Sequence, residues 1–135
     1  MILYQLLDKF FFVFHSFVIL FNLFGWIWRK TRRWNLALIL LTAGSWTLLG
    51  IRYGFGYCPC TDWHWQVRIK LGLVDLPHSY LKFLFDTLTG LDIRPGLMDT
   101  MAFSGLGAAF VLSLILNVRD RQKKRRSGER LAIRE

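Results

Sequence analysis

The chain has 135 residues, of which 53% are apolar, and it contains 12 Phe and 6 Trp. A soluble domain of this length could not bury so much aromatic and aliphatic surface in one core, so the composition favours a protein solvated by lipid. The formal net charge of +9 would suit nucleic-acid binding if it covered a folded surface. Most of the positive charge instead follows two apolar runs directly, which is typical of membrane topology signals and argues against nucleic acid as a partner.

Three apolar runs predict three transmembrane helices. The first covers residues 10–28 and the second covers residues 34–53, and each is close to the length of about 20 residues that spans a bilayer core. The third covers residues 97–118, and a basic tail at residues 119–135 follows it. We therefore predict an all-α integral membrane protein in which residues 1–118 form a single helical membrane domain.

The segment between the second and third runs, residues 54–96, is more polar and predicts one or two short helices. Thr61 or Asp62 can cap the first of them, and Pro77 can start a second one that ends before Gly90. The second helix is amphipathic and too short to span the bilayer, so we expect it to lie at the membrane interface. A re-entrant path for this helix stays open.

The distribution of positive charge predicts the orientation. The loop at residues 29–33 holds four Lys or Arg residues and the tail at residues 119–135 holds eight, so together they hold 12 of the chain's 18. Because positively charged loops stay in the cytoplasm, three crossings place the N-terminus outside and the C-terminus in the cytoplasm, and we expect the plasma (inner) membrane as the location. Segment 54–96 is then extracytoplasmic. The tail should attract anionic lipid headgroups, by about 1 kcal/mol for each positive residue near the surface.

Ionisable and polar side chains near the outer ends of the spans predict a pocket in the outer leaflet. His15 lies within the first run, about 8 Å from its outer end, and ionisable groups inside spans are candidates for function. Its imidazole should face the protein interior, because lipid satisfies neither ring nitrogen. Arg52 and Asp99 lie near the ends of their helices, where we expect them to pair. The predicted pocket residues are His15, Trp46, Arg52, Cys58, Cys60, His64, Arg68 and Asp99.

Ordinary structural roles are open for the same residues. A backbone carbonyl could satisfy His15, and a lipid phosphate could satisfy Arg52. Cys58 and Cys60 flank a proline, and two thiols one residue apart can close only a strained and reducible ring, so their oxidation state stays open. The spacing of these cysteines to His64 matches no common zinc site, and no metal site is predicted.

The sequence favours a binding or accessory component over an enzyme. It shows no Ser/His/Asp set, no paired carboxylates within a span and no phosphate-binding loop. No cofactor is predicted, but one alternative is a membrane redox protein that binds haem or a quinone through His15, His64 and the cysteines. Another alternative is a small oligomeric transporter or channel subunit. The partner is the lipid bilayer in each case, and either a homo-oligomer or a complex with another membrane protein would fit.

Several features resemble a family of small bacterial membrane proteins, domain of unknown function 2784. They are His15 in an apolar first helix, a basic turn, a Trp-containing second helix, the motif Cys-Pro-Cys-Thr at residues 58–61, and Arg68. The family usually has Leu in place of the second Cys of this motif and Glu in place of His64. The resemblance therefore argues against a family-wide redox motif. It implies a small helical membrane protein and no assigned activity.

Overall fold

The computed structural model describes residues 1–132, and within them the chain forms only helices and their connections. Three helical stretches are long and apolar enough to cross a membrane: Ile2–Phe24, Arg32–Tyr53 and Pro95–Leu131. The predicted all-α fold with three transmembrane helices is therefore confirmed, and the protein is a multi-pass membrane protein. The last three residues of the predicted basic tail, 133–135, lie outside the described residues.

The first helix, α1, covers Ile2–Phe24, whereas the apolar run predicted residues 10–28. The helix begins earlier because the residues before Phe10 are mostly apolar and helix-forming, and because Asp8 finds charged partners elsewhere in the fold. It ends before Gly25, where the chain passes close to the second span. A Cβ atom at Gly25 would lie 2.9 Å from Nδ2 of Asn35. His15 consequently lies near the middle of α1 and deeper from its start than the sequence predicted.

The second span contains a π-helical turn that holds the following loop. It consists of α2 at Arg32–Gly44, the π-helical turn at Ser45–Leu49 and α3 at Gly50–Tyr53. The hydroxyl of Ser45 donates to the carbonyl of Tyr57 over 2.9 Å, and the N–H of Gly56 donates to the carbonyl of Trp46 over 3.4 Å. The chain can fold back in this way because Gly54 and Gly56 both have positive φ. The π-helical turn thus fixes the loop beside Trp46.

Two short helices and one long helix complete the fold: α4 at Pro59–Lys70, α5 at Tyr80–Thr89 and α6 at Pro95–Ala132. Pro59 is the first residue of α4, where its missing N–H has no cost, and Gly90 ends α5 in the left-handed conformation. Within the described residues α6 continues through the basic tail without a break, because Arg, Lys and Gln are good helix formers. α4 packs on α1, and α5 packs on α6.

Polar side chains join the spans at the end that carries the basic loop. Nη1 of Arg32 lies 2.8 Å from Oδ2 of Asp120, and the Asn117 side chain donates to the carbonyl of Arg32 over 3.0 Å. Asn35 is fully buried and donates to the carbonyl of Phe21 over 2.6 Å. Such bonds stabilise helix association in a membrane, where water is not available to these groups. The short helices α4 and α5 cover the opposite end of the spans.

Candidate functional site

A cavity of about 530 Å³ lies between the three spans at the end covered by α4 and α5. All three spans contribute to its wall, together with the loop of residues 54–58 and both short helices. Most of the wall is aliphatic or aromatic. The lining residues include His15 and Asn22 on α1, Trp46 on the π-helical turn, Cys58, Tyr80 on α5, and Asp99, Ala102 and Phe103 on α6.

The structure brings four of the eight sequence-predicted site residues into this wall: His15, Trp46, Cys58 and Asp99. Cys60 lies two residues after Cys58, in the first turn of α4 rather than in the cavity wall. His64 and Arg68 instead contact Asp8 beside the cavity. Arg52 is exposed, and no ion pair joins it to Asp99 in the part of the chain that the structure describes. The expected pairing is not found because Arg52 lies on the surface whereas Asp99 faces the cavity.

His15 faces inward, as expected for an ionisable residue in a span, and only 5% of it is exposed. Its Nε2 atom lies 3.7 Å from Sγ of Cys58, within hydrogen-bond distance for sulfur. The ring of Tyr80 stacks on the imidazole with 3.9 Å between the centroids. The other ring nitrogen, Nδ1, is buried and has no hydrogen-bond partner within residues 1–132. The imidazole is therefore held in place on one side and unpaired on the other.

Cys58 is the more acidic of the two cysteines. It is the N-cap residue of α4, and both thiols are free in the described structure. Interaction with the neighbouring Cys60 thiol lowers the pKa of Cys58 well below its usual range. Burial opposes this effect, whereas His15 and the backbone N–H of Thr61 add to it. The same interaction raises the pKa of Cys60, so Cys58 ionises first.

The deeper part of the cavity wall carries a second unpaired polar atom. Asn22 is 5% exposed, and its Nδ2 donates to the hydroxyl of Thr42 over 3.0 Å. Its Oδ1 atom is buried without a hydrogen-bond partner in the described residues. Because most buried polar atoms in proteins are paired, an unpaired acceptor beside a cavity indicates a place for a hydrogen-bond donor.

Beside the cavity, Asp8 joins α1 to α4 through two hydrogen-bonded partners. Its Oδ1 atom lies 2.8 Å from Nε2 of His64 and 3.1 Å from Nη1 of Arg68. His64 is completely buried, and burial lowers its pKa although Asp8 acts in the opposite direction. The Arg68 guanidinium also lies over the ring of Phe83, 4.6 Å from its centroid. We call Asp8, His64 and Arg68 the charged cluster.

Asp8 is the residue of this region that the sequence analysis missed. It precedes an apolar run, where an acidic residue is typical of a helix flank in water, and 56 residues separate it from His64. The usable signal was the pair His64 and Arg68, which lie four apart and share one face of a helix. Within residues 1–132, no group of three or more His, Cys, Asp or Glu side chains could hold a metal ion.

Taken together, the fold and the cavity define a class of protein: a three-span helical membrane protein whose two short helices cover a cavity between the spans. The chain belongs to the family of proteins of unknown function DUF2784, whose family model matches residues 5–118. The resemblance noted above is therefore confirmed, and the match reaches through the predicted third span. No curated protein and no solved structure matches the chain.

Proposed function

We propose that this protein is a binding component of the membrane that holds a small amphipathic molecule in the cavity between its spans. The main support is that two side chains of the cavity wall hold buried atoms without a hydrogen-bond partner in residues 1–132, namely Nδ1 of His15 and Oδ1 of Asn22. Each unpaired buried polar atom costs about 1–3 kcal/mol, so a molecule that pairs with them gains that much from each. A volume of about 530 Å³ also lies within the range of ligand pockets.

The chemistry of the wall indicates the class of ligand. Oδ1 of Asn22 only accepts hydrogen bonds, so the ligand should carry a hydroxyl or amine where it approaches this atom. Trp46 and Phe103 form an edge-to-face pair, with 4.8 Å between their centroids, that suits an apolar or aromatic body. A hydroquinone has both features, so a quinone-binding redox protein is a special case of this proposal. An absorbance spectrum of the purified protein would reveal a bound quinone or haem.

The cavity is tested by filling it with a larger side chain. Ala102→Trp introduces an indole into the wall, whereas Ala108→Trp makes the same change at an exposed position of α6 outside the cavity. We expect one amphipathic molecule to co-purify with the unmodified protein and with Ala108→Trp, and its amount to fall at least about tenfold with Ala102→Trp. Mass spectrometry of organic extracts from the purified proteins measures this. Equal amounts in all three proteins, or bulk lipid alone, would rule out the cavity as the binding site.

We further propose that the protein lies in the plasma (inner) membrane of a bacterium with its N-terminus outside and its C-terminus in the cytoplasm. The support is the clustering of 12 of 18 positive residues in the loop of residues 29–33 and the tail. Both clusters line a shallow groove with Trp34, which would suit anionic lipid headgroups at the cytoplasmic surface.

Reporter fusions test this orientation. A reporter that is active only in the cytoplasm should be active after Glu135 and inactive when fused before Met1, because three spans put the two termini on opposite sides. A reporter that is active only outside should show the reverse pattern. A C-terminal fusion that is active outside would contradict the proposal.

A further inference from the structure

We propose that Cys58 and His15 form a nucleophilic thiol–imidazole pair that accepts an acyl group from an ester or thioester substrate bound in the cavity. This inference rests on the proposed binding function, because the cavity must first hold the substrate. It goes further by naming the reacting atoms and the reaction class. The sulfur of Cys58 and the imidazole of His15 both line the cavity, so a bound molecule can reach both.

The geometry suits transfer of a proton between the two residues. Nε2 of His15 lies 3.7 Å from Sγ of Cys58, and proximity of a nucleophile to a base is the usual arrangement for activating a thiol. The stacked ring of Tyr80 restricts rotation of the imidazole, a task that a hydrogen-bonded carboxylate performs in many catalytic triads. Tyr80 therefore acts as a positioning residue for the base.

The position of Cys58 at the start of α4 favours negative charge on the thiol and on the reacting carbonyl. The N–H groups in the first turn of a helix have no partner within that helix. Pro59 has no N–H, and the N–H of Asp62 donates to the carbonyl of Cys58, which leaves the N–H groups of Cys60 and Thr61 as donors. The positive end of the helix dipole adds to their effect. Thr61 lines the cavity beside Cys58, so its N–H can stabilise the oxyanion that forms when a carbonyl is attacked.

The reaction would proceed in two balanced steps. His15 takes the proton of the Cys58 thiol, and the thiolate attacks the acyl carbonyl to form a tetrahedral oxyanion. The oxyanion collapses to a thioester on Cys58, and the departing alkoxide or thiolate receives the proton from His15. A water or alcohol molecule then gives a proton to His15 while it attacks the thioester, and the Cys58 thiolate leaves and regains that proton.

Acyl transfer fits this site better than cycling of a disulfide between Cys58 and Cys60. A disulfide between residues only two apart would close a small strained ring across the first turn of α4. The thiol of Cys60 instead lowers the pKa of Cys58, which favours the thiolate. The apolar wall of the cavity is suited to an acyl chain.

The probe for this activity is p-nitrophenyl hexanoate, added to the full-length protein in detergent micelles. We expect a burst of nitrophenolate close to one equivalent of protein, with a hexanoyl group on Cys58 found by peptide mass spectrometry. Cys58→Ser should lose the burst. Ala108→Trp should keep it, because residue 108 is exposed on α6 outside the cavity. His15→Gln should slow it by about 100-fold, a common contribution of a positioned acid–base group.

Two patterns of acylation would overturn the inference. One is acylation of Cys60 at the same rate as Cys58, and the other is acylation of both at the rate seen after the protein is denatured in urea. Folding of the variants is checked by their elution as a single species and by their helical circular dichroism. If the amphipathic molecule co-purifies with Cys58→Ser but the ester gives no burst in the unmodified protein, the acyl-transfer inference fails and the binding function stands. If Ala102→Trp keeps the ligand, the binding function fails by itself.

Discussion

Replacing Asp8 with alanine should weaken the attachment of α4 to α1 by about 2–3 kcal/mol. Removing one member of a buried ion pair costs about 3–5 kcal/mol, because the remaining charge is left without a partner. We expect a smaller effect because the Asp8 side chain is 25% exposed. In the variant, the Arg68 side chain, which is only 17% exposed, would lose its carboxylate partner. His64, which is completely buried, would lose the acceptor of its Nε2–H.

Hydrogen exchange measures this effect locally. Exchange of the α4 backbone amides should become roughly 30- to 150-fold faster in Asp8→Ala, since each 1.4 kcal/mol is a factor of ten. Asp75→Ala is the matched control, because Asp75 lies in the exposed loop between α4 and α5. Its exchange rates should match those of the unmodified protein. Unchanged exchange of α4 in Asp8→Ala would show that the charged cluster does not hold this helix.

The sequence predicted the number and class of helices better than their ends. Runs of about 20 apolar residues can satisfy their backbone only as helices in lipid, so the three spans followed from composition and length. The start of α1 was placed at residue 10 because Asp8 and Lys9 interrupt the apolar pattern. Asp8 is tolerated inside the helix because of partners on α4, and sequence periodicity cannot show partners that are 56 and 60 residues away.

The sequence could predict those residues of the candidate site that are brought together by their depth in the membrane. His15, Trp46 and Asp99 were placed together because they lie at comparable depths near the outer ends of their spans, and the structure puts all three in one cavity wall. Arg52 was grouped with them by depth alone, and its direction around the helix places it on the surface. The depth of a residue in the membrane follows from its position in the sequence. The direction in which its side chain points depends on helix packing and, for Arg52, on the π-helical turn that precedes it.

Among changes to the short helices that cover the cavity, Tyr80→Ala should lower the free energy of unfolding the most. Tyr80 is 5% exposed, and its ring stacks on His15 and on Trp65. Its hydroxyl donates to the carbonyl of Phe12 on α1 over 3.2 Å. Truncation of a buried aromatic residue to alanine costs about 3–5 kcal/mol, because the cavity left behind closes only partly. We expect a loss in this range, together with slower acylation of Cys58, since His15 would no longer be held in place.

Tyr80→Phe distinguishes the contribution of the Tyr80 ring from that of its hydroxyl. It keeps both stacking contacts and loses one hydrogen bond, so it should cost only about 1 kcal/mol and leave acylation nearly unchanged. Unfolding by increasing fractions of dodecyl sulfate in mixed micelles compares the stabilities, and the nitrophenolate burst compares the rates. If the two variants have equal stability, the ring does not contribute through stacking. If Tyr80→Ala is destabilised but acylates Cys58 at the normal rate, the imidazole of His15 is positioned by its other neighbours, and the ring of Tyr80 serves only to hold α5 over the cavity.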